Sequence, residues 1–167
     1  MKQELYRKLV AYIVENQDKF YRLALSYLKN QEDALDAVQN AVCKALEHYG
    51  ELKSEEAFKT WFYRIVLHES IILYHAKKRE VPTQDSAWME QSYEEKGFDI
   101  HDDLYAQIDR MEETAQKIIK LRFFEELTLD EIARILDMNI NTVKAKLYRS
   151  LKVLKINVGE EEDVWTV

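Results

Sequence analysis

The chain has 167 residues, 47% of them hydrophobic, which leaves room for one large domain or two small ones with packed cores. Three glycines and one proline give few turns and few breakers, so long helices and an all-α fold are expected, and 33% charged residues suit extensive exposed helix surface. The lone cysteine, Cys43, excludes an internal disulfide or a cysteine-based zinc cluster and fits a reducing cytoplasm, and no stretch approaches the ~18 apolar residues of a membrane span.

The first twenty residues form an amphipathic pattern broken by charges, unlike a signal peptide, so a cytoplasmic protein is expected. The net charge of −7 is unevenly spread: +1 over residues 1–80, −8 over 81–113, +4 over 114–158 and −4 over 159–167. Two near-neutral or basic blocks separated by an acidic connector imply two small helical domains and a linker.

The first block reads as three helices. Leu5, Leu9, Tyr12, Ile13, Phe20, Leu23, Ala24, Tyr27 and Leu28 recur at helical spacing and predict one helix over 3–29. Asn30 is placed to cap the next, with Glu32 and Asp33 in its first turn, where the helix dipole favours anions. Ala34, Leu35, Val38, Val42, Ala45 and Leu46 supply its apolar face, and Gly50 is expected to end it. Ser54 is expected to cap a third helix with Phe58, Trp61, Phe62, Ile65 and Val66 inward, running into the basic exit Lys77-Lys78-Arg79.

Residues 80–101 lose the periodicity and collect acids, although Trp88, Met89 and Phe98 suggest some docking. The second block begins at Asp102. Leu104, Ile108 and Met111, then Ile118, Ile119, Leu121, Phe123 and Phe124, predict two helices ahead of a helix-turn-helix at 128–155. There, Thr128 and Glu131 have the spacing of a capping box, and Ile132, Ile135 and Leu136 face inward. Ala133 is small where two helices must cross. Asp137 stands at the turn, where aspartate is among the few non-glycine residues that tolerate a left-handed backbone. Asn139 caps a last helix whose inner face is Val143, Leu147, Leu151 and Leu154.

Asn141, Thr142, Lys144, Ala145, Tyr148, Arg149 and Lys152 are thereby left toward solvent, and from Asn139 to Val158 there is no acid. A positive strip on an acidic protein points to a polyanion, and residues near the N-terminus of such a helix are those that reach base edges in the major groove. A solvated basic face of an ordinary bundle is the simpler alternative; the ordered cap, small residue, turn and basic helix favour DNA.

With both blocks laid out, the chain resembles the extracytoplasmic-function (ECF) sigma factors, compact two-domain sigma subunits of the sigma-70 family of bacterial RNA polymerase. The resemblance rests on DALDAVQNAVCKAL at 33–46, AFKTWFYRI at 57–65, and LRFFEELTLDEIARIL with NTVKAKLYRSLKVLK at 121–155. It implies a sigma-2-like domain over 1–79, an acidic linker over 80–101 that threads a basic RNA-exit channel, a four-helix sigma-4-like domain over 102–158, and an acidic tail over 159–167.

Position by position, the resemblance assigns Asp33, Asp36, Gln39 and Asn40 to the clamp of the largest polymerase subunit. For Asp33 and Asp36, complementing the helix dipole is the alternative. It assigns Lys59, Trp61, Tyr63, Arg64, His68, His75, Lys77, Lys78 and Arg79 to opening the −10 element, where aromatics stack on bases and basic groups track phosphate. Trp61 and Phe62 suit a core role equally well. Asn141, Thr142, Lys144, Ala145, Lys146, Tyr148, Arg149 and Lys152 would meet the −35 element, with Ala145, Tyr148 and Arg149 nearest the bases. The chain departs from the family's frequent residues at Asn40, His68, Ile72, Tyr74, His75, Asn141, Ala145 and Lys146.

The implied function is a promoter-specificity subunit of core RNA polymerase, initiating a specialised regulon and held in check by a membrane-associated anti-sigma factor, with no direct membrane insertion and no small-molecule substrate. The alternative is a sigma-like helix-turn-helix regulator, or a polymerase-binding adaptor or inhibitor without initiation activity. No enzyme, cofactor or metal is expected. His48, His68, His75, His101 and Cys43 lack metal-ligand spacing, and no glycine-rich phosphate loop or catalytic set stands out.

Overall fold

The computed structural model describes residues 2–80 and 100–154, and every regular element among them is helical. They fall into two compact units. The expected linker, apart from its ends, residues 155–158 and the tail over 159–167 lie outside the described residues, as do Trp88, Met89 and Phe98.

In the first unit the apolar run expected as one helix is two, α1 (Lys2–Glu15) and α2 (Gln17–Leu28). Asn16 separates them. Its backbone leaves the helical region at φ −116° and ψ 16°, while its side-chain amide donates to Tyr12 O at 2.8 Å. An asparagine side chain competing for backbone partners offers the chain an exit from the helix. Lys29 then closes α2 in the left-handed conformation. Asn30 caps α3 (Gln31–His48) as expected, accepting from the Asp33 amide at 3.0 Å.

The buried stripe of α3 is Ala34, Ala37, Ala41 and Ala45, small residues that let α3 pack closely against α2 and α4 (Phe58–Glu80). Leu35, expected inward, is 53% exposed. The chain leaves α3 through a 3₁₀ turn containing Gly50, so no left-handed glycine cap forms. Ser54 stands extended before a second 3₁₀ turn and makes no side-chain cap, because α4 proper starts only at Phe58.

The core of this unit centres on Phe20, whose ring lies 4.6 Å from that of Phe62 and 5.1 Å from that of Tyr63, both edge-on. Edge-to-face pairing adds to the area term because a ring's positive rim meets another's negative face. Leu9, Leu23, Leu28, Phe58, Val66 and Leu67 complete the packing.

In the second unit, α5 (Ile100–Asp109) and α6 (Glu113–Ile119) precede the helix-turn-helix. Glu112 caps α6 by accepting from the amides of Thr114 and Ala115. Instead of ending, α6 widens into a π-helical turn, Lys120–Phe124. The Glu125 amide reaches back to Lys120 O, five residues away, and the Arg122 guanidinium donates to Leu127 O at 2.8 Å. The extra residue in this turn keeps Lys120 and Leu121 inside and sends Phe123 out to 41% exposure. Lys120 is almost wholly buried, with Asp109 Oδ1 3.5 Å from its ammonium.

The helix-turn-helix follows as α7 (Leu129–Leu136) and α8 (Ile140–Val153). The Thr128–Glu131 capping box is complete in both directions at 3.1 and 3.0 Å. Asp137 takes the left-handed geometry, φ 53° and ψ 51°. Asn139 accepts from the Asn141 amide at 2.8 Å.

Candidate nucleic-acid interface

Helix α8 is anchored by Val143, Leu147, Ser150 and Leu151, all buried, and Leu154 closes the packing beyond its end. The Ser150 hydroxyl satisfies itself on Lys146 O at 2.7 Å, which allows a polar residue on the inner face. With that face pinned, the helical period turns Asn141, Thr142, Ala145, Tyr148, Arg149 and Lys152 fully outward, and leaves Lys144 and Lys146 half-exposed on the flanks. All eight sequence-derived candidates thus lie on one surface-facing arc. The Lys152 ammonium sits 4.6 Å over the Tyr148 ring, a cation–π contact that holds both side chains near the helix surface. Arg149 folds back, its Nε 3.4 Å from Ala145 O, and carries the most extended donor array of the group.

The electrostatics of α8 extend to its neighbour. The backbone amide of Thr114 beside Glu112 holds that carboxyl below the usual carboxylate range, with the Ala115 amide and the charge of Lys146 acting in the same direction. One acid therefore tempers one end of an otherwise basic surface.

The −10 candidates on α4 divide. Lys59, Arg64, His68, His75, Lys77, Lys78 and Arg79 are exposed and Trp61 is half-buried. Tyr63 is different: only 2% exposed and packed on Phe20, it presents no ring for a base to stack on. The reason is the helical period: between the inward residues Phe62 and Val66, position 63 still points into α2, whereas Arg64 has rotated out. The basic exit runs to Glu80 as a continuous helix. Lys78 lies 5.7 Å over the Tyr74 ring, and Tyr74 and His75 pair edge-on at 5.5 Å.

The α3 candidates also divide. Asp36, Gln39 and Asn40 form an exposed ridge beside Leu35 and Cys43. Asp33 is half-buried, its carboxylate 18% exposed and 3.2 Å from the Lys77 ammonium. Beneath the ridge, Lys44 pairs with the buried Glu69 of α4. Neither ion pair was read from the sequence, because partners so far apart along the chain leave no periodic signal. Among the described residues no group of three or more His, Cys, Asp or Glu side chains is placed to hold a metal, and no helix is long and apolar enough to cross a membrane.

A helix-turn-helix presenting one basic arc is the architecture of a DNA-binding protein. Comparison with known proteins names the class. Residues 12–80 match the family model for sigma-70 region 2, and residues 101–154 match that for sigma-70 region 4. The chain is 40% identical over 164 residues to the RNA polymerase sigma factor SigV of Bacillus subtilis (strain 168), covering 96% of this chain and 97% of that one. It is 27% identical to the ECF RNA polymerase sigma factor SigW of the same organism, covering 83% and 82% of the two chains. In fold it is similar to the sigma factor RpoE of Bartonella quintana, solved with the anti-sigma factor NepR, at a TM-score of 0.60 and 20% identity over 93% of this chain and 97% of that one. The chain belongs to the ECF sigma factors of the sigma-70 family. It is a promoter-specificity subunit of bacterial RNA polymerase.

Proposed function

We propose that the two units read two promoter elements, and that α8 is the head that reads the −35 element. The observation that carries this reading is the division of α8 into a buried apolar face and an outward arc holding Asn141, Thr142, Lys144, Ala145, Lys146, Tyr148, Arg149 and Lys152. Ala145, Tyr148 and Arg149 lie at the centre of the arc and specify bases; the flanking lysines and Thr142 serve phosphates, which position without specifying. In the first unit, Lys59, Trp61, Arg64, His68, His75, Lys78 and Arg79 engage the melted −10 strand. The ridge of Asp36, Gln39 and Asn40 docks on the clamp of the largest polymerase subunit.

On this reading residues 1–79 are the sigma-2-like domain, 80–101 the linker, 102–158 the sigma-4-like domain and 159–167 the tail. The protein performs no bond chemistry and works in the cytoplasm. The RpoE relative is solved with an anti-sigma factor, and we extend that kind of partner, membrane-associated, to this chain.

The test is run-off transcription by bacterial core RNA polymerase on sheared genomic DNA, with and without the protein. Discrete transcripts that depend on it are expected, and their start sites give the promoter. Silence despite co-elution with core enzyme would put a polymerase-binding inhibitor in its place.

A further inference from the structure

Two ion pairs tie α3 to α4, and their polarities are opposed. Near the start of α3, the acid Asp33 meets Lys77 of α4. About three turns further along α3, the base Lys44 meets the buried acid Glu69, nearer the start of α4. The order shows the helices running antiparallel. Reversing one helix would oppose Asp33 to Glu69 and Lys44 to Lys77, two like-charge pairs. The arrangement therefore encodes both direction and register of α4 on α3.

Within the basic exit, Lys77 stands apart from its neighbours. Lys78 is over the Tyr74 ring, whereas Lys77 is paired with the carboxylate of a capped helix's first turn. The Asp33 amide is held by Asn30, and the Asp33 carboxylate is mostly shielded from water. The hydrogen bond that the Lys77 ammonium donates to Asp33, followed by the charge of Asp33, holds that ammonium above its ordinary range. A contact from either residue to polymerase or to DNA would compete with this pair or share its charges.

We infer that Asp33 and Lys77 act on each other, Asp33 being a positioning residue that fixes the last turns of α4 on α3 and thereby aims Lys78 and Arg79 at the promoter backbone. The inference rests on the reading that α4 takes promoter DNA and α3 takes polymerase, and it links the two. Polymerase bound on the α3 ridge would set the position of the DNA-binding helix end through this pair.

The test is charge exchange in the full chain, assembled with core polymerase on a promoter mapped by run-off transcription. Asp33→Lys and Lys77→Glu should each reduce open-complex formation about tenfold, the size of a coupling between residues in direct contact. The double exchange Asp33→Lys/Lys77→Glu should recover to within about fivefold of wild type, the remainder reflecting charges now opposed to the two helix dipoles. Direct contacts to partners are not restored by exchanging the charges, so a double variant as weak as the worse single overturns the inference. So does loss of core-polymerase co-elution in the double variant, which would return Asp33 to the clamp contact. Circular dichroism melts separate unfolding from misplacement, and Asp33→Asn/Lys77→Gln, which removes the pair without repulsion, should show a milder loss in a folded protein. A wild-type control that yields no dependent transcript would instead sink the functional reading, leaving the pair to be judged by the melts alone.

Discussion

Helices α8 and α4 present candidate DNA-binding residues in contrasting ways. In α8 the apolar stripe is narrow and the polar arc is continuous, so packing and recognition occupy different faces and can be altered independently. In α4, Phe58, Phe62, Tyr63, Val66, Leu67, Glu69 and Ser70 are all buried, so the helix is enclosed over much of its girth and its candidates alternate with core residues. A matching motif on α8 therefore converts almost directly into a surface, whereas the same motif logic on α4 misplaced Tyr63. A helix that borders two neighbours has less surface free for recognition than its composition suggests.

The largest expected effect tests the enclosed half of that contrast. Tyr63→Ala should cost about 3–5 kcal/mol of folding stability, as large-to-small core substitutions of aromatics do, measured by urea denaturation. An unchanged midpoint with impaired promoter opening would put Tyr63 back among the DNA contacts and break the comparison. Arg149→Ala should weaken −35 recognition by about 1–3 kcal/mol and relax specificity there, with core-polymerase binding and the denaturation midpoint unaltered. If its denaturation midpoint fell by a similar amount, the two faces of α8 would not be separable.

Thr128→Ala removes one half of the capping box and should cost about 1 kcal/mol, a fall of several degrees in melting temperature for a domain of this size. Glu112→Gln should have the smallest effect, and it carries a pH signature. A carboxyl held low in the folded state stabilises above its unfolded value of about 4.3, and that contribution is lost as pH falls through the folded value. The difference in melting temperature between wild type and Glu112→Gln should therefore be full at neutral pH and shrink below about pH 4. A difference that grew on acidification would contradict the observed cap.

The accuracy of the sequence reading follows the range of the interactions involved. The Thr128–Glu131 box, the left-handed Asp137, the Asn139 cap and the Asn30 cap each join groups within a few residues, and all are present where expected. The break at Asn16 is also local, yet the apolar period runs straight across it and conceals it. Hydrophobicity places Leu35 inward, but the neighbouring helices approach the alanine stripe of α3 and leave Leu35 outside.

By itself, the sequence determined the helical class, the two-part organisation, the helix-turn-helix with its caps and the outward arc of α8, because each follows from period, propensity or contacts between near neighbours. Only the tertiary structure decided which residues of α4 are core, that α6 widens into a π turn placing Lys120 inside and Phe123 outside, and that Asp33 belongs to Lys77 and Lys44 to Glu69. Those outcomes depend on where separate helices meet. A side chain's surroundings there are set by packing across long stretches of chain, and periodicity along a single helix carries no record of it.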